Sequence, residues 1–208
     1  MIEQFESQFF VYIQSEMNQD PAHDIHHISR VVKSAKSLCK SEGAKLEVVL
    51  PAAYLHDCFS LPKNHPERAK SSELAAEKAN QFLQSIGYPK QHLDEISHAI
   101  IAHSFSANVK PRTLEAQIVQ DADRLDALGA IGIVRCIQVS VSLGVELYND
   151  VDPFCVEREP NDRHNTVDHF YVKLLKLADT MNTTSARIEA TKRTEFMKAY
   201  LRQLAIEV

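Results

Sequence analysis

A chain of 208 residues is long enough for one well-packed domain and short for two. Its 44% hydrophobic and 25% charged residues exclude global disorder, and a formal net charge of -5 argues against gripping a nucleic-acid backbone. Cys39, Cys58, Cys136 and Cys155 are widely separated and form no CxxC pair, which excludes a disulfide scaffold or zinc ribbon and points to free thiols in a reducing compartment.

The opening segment MIEQFESQFFVYIQSEM carries acids early and has neither a basic start nor a long apolar run. No signal peptide or membrane span is expected, so the chain reads as cytoplasmic, without a membrane partner. Residues 2–18 read as a first helix, closed by the turn Asn18-Gln19-Asp20-Pro21. A second helix is predicted from Asp24 to Glu42, stopped by Gly43, with His27, Val31, Ala35 and Leu38 on one face. The apolar run EVVLPAAYLHD follows, in which Pro51 is tolerable if it lies in the first helical turn, where its missing N–H costs nothing. After the loop CFSLPKNHP, helices are expected over 67–86, 90–103 and 113–128, then over the apolar IGIVRCIQVSVSL. Residues 144–165 read as an irregular polar excursion with Pro153 and Pro160, and two helices over 166–181 and 184–205 complete the chain. No strand-like alternation persists, and no linker divides the sequence. The expectation is one all-α domain over residues 1–208, its core at about 23–130 and the helices of 166–205 packed on it.

Three separated segments carry side chains able to bind a metal: HDIHHISRV, YLHDCFS and QDADRLDALGA. A buried helix rarely ends in two adjacent polar residues without a partner for them, so His56-Asp57 at the end of an apolar run is the strongest of these. Neighbours on a helix point about 100° apart, and both reach one ion only if it sits near the helix end. A lone His-Asp dipeptide is more often a hydrogen-bonded surface pair; His27 and Asp123 on other helices give this one its weight. Imidazoles with carboxylates form a mixed nitrogen–oxygen set, suited to Mn, Fe, Co, Ni or Zn rather than Ca.

The order His, His-Asp, Asp resembles the HD superfamily of metal-dependent phosphohydrolases. The segments HDIHHISRV, AAYLHD, LPKNHPERAKSSELAAEKA, HAIIAHSFS, IVQDADRLDALGAIGI and HFYVKLLKLADTMNT are similar to its YedJ/YpgQ-type bacterial branch, from His23 to Asn182. The resemblance implies a single HD-domain helical bundle that hydrolyses phosphate esters or anhydrides of a small substrate, a nucleotide, with release of phosphate or pyrophosphate. It implies one divalent ion, Mn or Mg, held by His27, His56, Asp57 and Asp123. Asp123 is chosen over Asp121 on the ADRL wording alone, and Asp126, one turn on, shares its face.

Some relatives carry acidic residues after the doublet for water activation, whereas Cys58, Phe59 and Ser60 stand here. Glu73, His98 and His103 are the remaining acid–base candidates. His98 and His103 are five residues apart, roughly 140° around a helix, which suits them poorly to clasp one ion. Phosphate requires positive charge, and Lys63, Arg68 and Arg124 flank the ligands; His169 and Lys173, one turn apart, suit a pocket lid or an amphipathic helix equally. The rival readings are a dinuclear iron oxygenase on the same fold and a metal-containing binding domain without catalysis. Oligomeric state is not readable, since the apolar stripe Phe196, Leu201 and Leu204 suits core or interface.

Overall fold

The computed structural model describes residues 2–16, 25–61 and 65–208. The expected turn at Asn18–Pro21, the start of the second predicted helix and Lys63 lie outside them. Among the described residues the fold is all-α, with no strand beyond an isolated bridge between Glu146 and Asn165. The helices are α1 (Glu3–Glu16), α2 (Ile25–Glu42), α3 (Leu46–Leu55), α4 (Ser71–Ser85), α5 (Leu93–His103), α6 (Leu114–Leu125), α7 (Gly129–Ser142), α8 (Thr166–Val172) and α9 (Thr184–Glu207). Among the described residues no single helix is long and apolar enough to cross a membrane. The chain divides into two compact units, Met1–Asp123 and Arg124–Val208.

In the first unit α3 is the hub. Every residue from Val48 to Leu55 is buried, as befits a helix that is apolar all round, and α1, α2, α4 and α5 pack on it. Alpha-helix α1 contributes Phe5, Phe9 and Ile13, four residues apart on one stripe, and α2 contributes Ile28, Val31, Val32, Ala35 and Leu38. Each of these larger side chains, Ala35 aside, stabilises the fold by about 1.5–3 kcal/mol.

Pro51 departs from expectation. Helix α3 begins at Leu46, so the proline sits beyond the first turn, and its missing N–H deprives the Glu47 carbonyl of an intrahelical donor. The Tyr88 hydroxyl donates to that carbonyl instead, at 2.6 Å. A residue outside the helix thus supplies the partner that the proline removes.

In the second unit α7 packs against α8 and α9. Gly129 opens α7 at φ +71°, and a Cβ on Gly132 would stand 2.2 Å from the Ala127 carbonyl oxygen, so the turn leading into α7 is closed around a missing side chain. The helix expected over 166–181 is divided: Lys173 (φ −132°, ψ −58°) ends α8, and a 3-10 stretch, Leu174–Thr180, continues. The polar excursion is irregular, as expected, and carboxylates organise it. Asp152 accepts from the backbone N–H groups of Val156, Glu157 and Arg158. The fully buried Asp168 takes both arms of the Arg158 guanidinium (2.5 and 2.7 Å) and the N–H of Asn161. Burial opposes ionisation of Asp168, but the hydrogen bonds from Arg158, the Asn161 N–H and Cys155, with the Arg158 charge, together outweigh it and hold the carboxyl below its ordinary range.

Candidate metal centre

Helix ends leave carbonyls without partners, and two histidines use them. His56 follows the last residue of α3, and its Nδ1 lies 2.9 Å from the Ala53 carbonyl oxygen. A carbonyl only accepts, so Nδ1 carries the proton and Nε2 presents a lone pair. That Nε2 is buried and has no hydrogen-bond partner. His103, the last residue of α5, places its Nδ1 2.5 Å from the Ile100 carbonyl oxygen in the same manner. A buried nitrogen that gains no hydrogen bond is costly, and a cation is the partner its chemistry suits.

The remaining donors converge on that lone pair. Asp57 Oδ2 is 3.7 Å from His56 Nε2 and 3.9 Å from Nε2 of His27, which stands in the first turn of α2. Asp123 Oδ1, from the end of α6, is 3.5 Å from His27 Nε2 and 3.9 Å from His56 Nε2. The ligand atoms of His27, His56 and Asp57 all lie within 4.8 Å of one another. An ion with bonds of about 2.1 Å holds neighbouring ligand atoms at roughly 3 to 3.4 Å and opposite ones at roughly 4.2 Å. The observed gaps fall inside that span, and the two carboxylates carry the charge that a divalent cation balances. The donor set therefore fits a divalent metal.

Exposure gives the site a direction. His27 and His56 are 1% and 0% exposed, whereas the Asp57 and Asp123 side chains are 19% and 30% exposed. The rings form a floor, and the carboxylates form the accessible rim. Burial pushes the His56 imidazole down to about 4, only partly offset by Asp57, so the ring is neutral at pH 7, as a ligand requires. For His103, burial opposes the charged form, but the hydrogen bond and charge of Asp57 prevail and raise it.

The acid–base candidates separate. His103 joins the cluster: its Nε2 is 3.7 Å from Asp57 Oδ1, and its ring stands edge-on to His56 at 4.8 Å. His98 faces elsewhere, with Nε2 accepting from the backbone N–H of Arg112 at 3.0 Å; burial and then Arg112 lower it. Glu73 is exposed on α4 and lines a groove with Glu77, Asn80, Ser97 and Ile101, none of them a member of the cluster. Behind the doublet, Cys58 Sγ contacts the Ala75 carbonyl, and burial pushes the thiol up to about 12, so it packs rather than reacts.

The residues proposed for substrate follow the same test. Lys63 lies outside the described residues, and Arg68 donates to Ser60 Oγ and the Leu61 carbonyl. In the second unit, Arg124 donates to the Thr180 carbonyl, His169 pairs with Asp162 at 2.9 Å, and Lys173 is exposed at the break after α8. Asp121 is fully buried, and Asp126 pairs with Arg135 at 2.7 Å; of the three acids in QDADRLDALGA, Asp123 is the one beside the histidines. Sequence reasoning missed Tyr88 and the Arg158–Asp168 pair. The only available signals were a proline inside an apolar helix and an acid inside an apolar segment.

A model of the HD domain family matches residues 24–128. The protein YpgQ of Bacillus subtilis (strain 168) is 34% identical over 206 residues, spanning 97% of this chain and 92% of its own. Among solved structures, B. subtilis YpgQ in complex with ADP is 33% identical with a TM-score of 0.76, covering 99% of this chain and 95% of that one. An HD-superfamily hydrolase from Bacillus thuringiensis is 31% identical with a TM-score of 0.77, covering 100% of this chain and 98% of that one.

Proposed function

The chain belongs to the HD domain family, and from that premise we propose that it is a divalent-metal-dependent phosphohydrolase acting on a small phosphorylated substrate, a nucleotide. The observation that carries the reading is the buried, partnerless Nε2 of His56 facing the two carboxylates with His27 beside it. The HD-superfamily hydrolase of B. thuringiensis supports the hydrolase class, and the ADP bound to YpgQ supports the nucleotide.

His27, His56, Asp57 and Asp123 would hold the ion, Mn or Mg by the family resemblance. When bound, such an ion lowers the pKa of a coordinated water and polarises a phosphoryl oxygen. The chain's own contribution is placement. The neutral His56 ring, fixed through Ala53, needs no proton loss before it ligates. The rings exclude water from the floor, so a phosphoryl group approaches over the Asp57 and Asp123 rim. Lys63 follows the doublet closely in the chain and is our candidate for pairing with the phosphoryl oxygens. Of Glu73, His98 and His103, only His103 adjoins a proposed ligand, and it does so through Asp57.

Metal analysis combined with a phosphate- and pyrophosphate-release screen over nucleotides and sugar phosphates tests this. Stoichiometric Mn and release from at least one nucleoside triphosphate are expected, with both lost in His56→Ala. Undiminished release by His56→Ala would overturn the site, and a flat screen with stoichiometric metal would favour a metal-containing binding domain.

A further inference from the structure

The two oxygens of Asp57 are divided between partners. Oδ2 faces His27 and His56, at 3.9 and 3.7 Å, whereas Oδ1 faces His103, at 3.7 Å. A carboxylate rotates freely about its last bond unless something fixes both oxygens, and a ligand that rotates holds its ion poorly. The His103 ring is itself held: its Nδ1 bonds the Ile100 carbonyl, its plane stands at 80° to that of His56, and it is 8% exposed.

We propose that His103 is a positioning residue for Asp57: it grips the outer oxygen Oδ1 and so keeps Oδ2 turned towards His27 and His56. This rests on the metal-cage reading above. With Nδ1 engaged by Ile100 and Nε2 directed at a carboxylate oxygen, neither ring nitrogen of His103 is turned to an approaching substrate. Its influence on the reaction therefore passes through Asp57. A residue of this kind, one step removed from the ion, commonly changes metal affinity by about 10–100-fold when lost.

Two amides separate the contacts. His103→Asn keeps a nitrogen near the position of Nδ1, within reach of Ile100, and loses the contact with Asp57. His103→Gln places its nitrogen near the position of Nε2 and keeps that contact. Mn binding to the metal-stripped full chain, measured by calorimetry, is expected to weaken roughly 10–100-fold in His103→Asn and only a few-fold in His103→Gln. At saturating Mn, phosphate release by His103→Asn should recover to within a few-fold of wild type. Wild-type Mn affinity in His103→Asn, or equal losses in both variants, would overturn the proposal. So would intact affinity with turnover lost at saturating Mn, which would make His103 act on the substrate directly. Because Mn affinity is read without turnover, an inactive wild type would sink the phosphohydrolase reading and leave this comparison standing.

Discussion

Removing the Tyr88 hydroxyl isolates the repair of the α3 break. In Tyr88→Phe the ring keeps its packing against Phe5 and Phe9, with centroids at 5.0 and 5.8 Å, and only the 2.6 Å hydrogen bond to the Glu47 carbonyl is lost. Tyr88 is 3% exposed, so water is poorly placed to replace the donor. A buried acceptor left without a partner costs about 1–3 kcal/mol. With a urea slope of about 2 kcal/mol per M, the unfolding midpoint should fall by roughly 0.5–1.5 M at unchanged slope. The cause is tested in a Pro51→Ala background. Alanine restores the N–H, so the Glu47 carbonyl regains its intrahelical donor and the hydroxyl becomes dispensable. The Tyr88→Phe penalty should then shrink below about 0.5 kcal/mol, a coupling that a double-mutant cycle reads directly. The same penalty in both backgrounds would show that the hydroxyl acts independently of the proline, and the account of α3 would fail.

Acid should weaken the metal-free fold through His56. Its ordinary value of 6.5 applies in the unfolded chain and about 4 in the folded one, so between those values the unfolded state binds a proton that the folded state refuses. Stability contributed by the neutral ring is complete above about pH 6.5 and is lost as pH falls towards 4, by up to about 3 kcal/mol at 1.36 kcal/mol per unit. Chemical unfolding of the wild type and His56→Gln across that window checks it, and an unchanged pH slope in the variant would rule out His56 as the cause. Gly132→Ala should destabilise the second unit by more than about 2 kcal/mol, because the new methyl meets backbone rather than a movable side chain. Thermal melting reads the loss, and an unshifted melting temperature would mean that the turn from Ala127 to Gly132 relaxes at little cost.

Much of the architecture was legible in one dimension because it is set by local chemistry. Apolar residues at helical spacing, with Gly43, Gly87 and Pro89 as punctuation, mark where helices run and stop. The all-α fold follows from that pattern, and the family follows from the wording around His27, His56-Asp57 and Asp123. The residue types alone also name a nitrogen–oxygen metal chemistry.

What the sequence could not decide are relations between residues distant in the chain, or the angle at which a helix presents its side chains. Asp121, Asp123 and Asp126 are chemically identical; the rotation of α6 buries the first and brings the second to the histidines, and the third, just past the helix end, pairs with Arg135. The same applies to His98 and His103, where one helix, α5, sends one ring to Arg112 and the other to Asp57. Pro51 looked tolerable only in a first turn; a tyrosine hydroxyl contributed from 37 positions further along the chain makes it tolerable in the helix interior. Local propensity fixes which segments coil. Only packing decides which side chains meet, since a carbonyl or a lone pair takes whatever partner the fold brings within 3 Å of it.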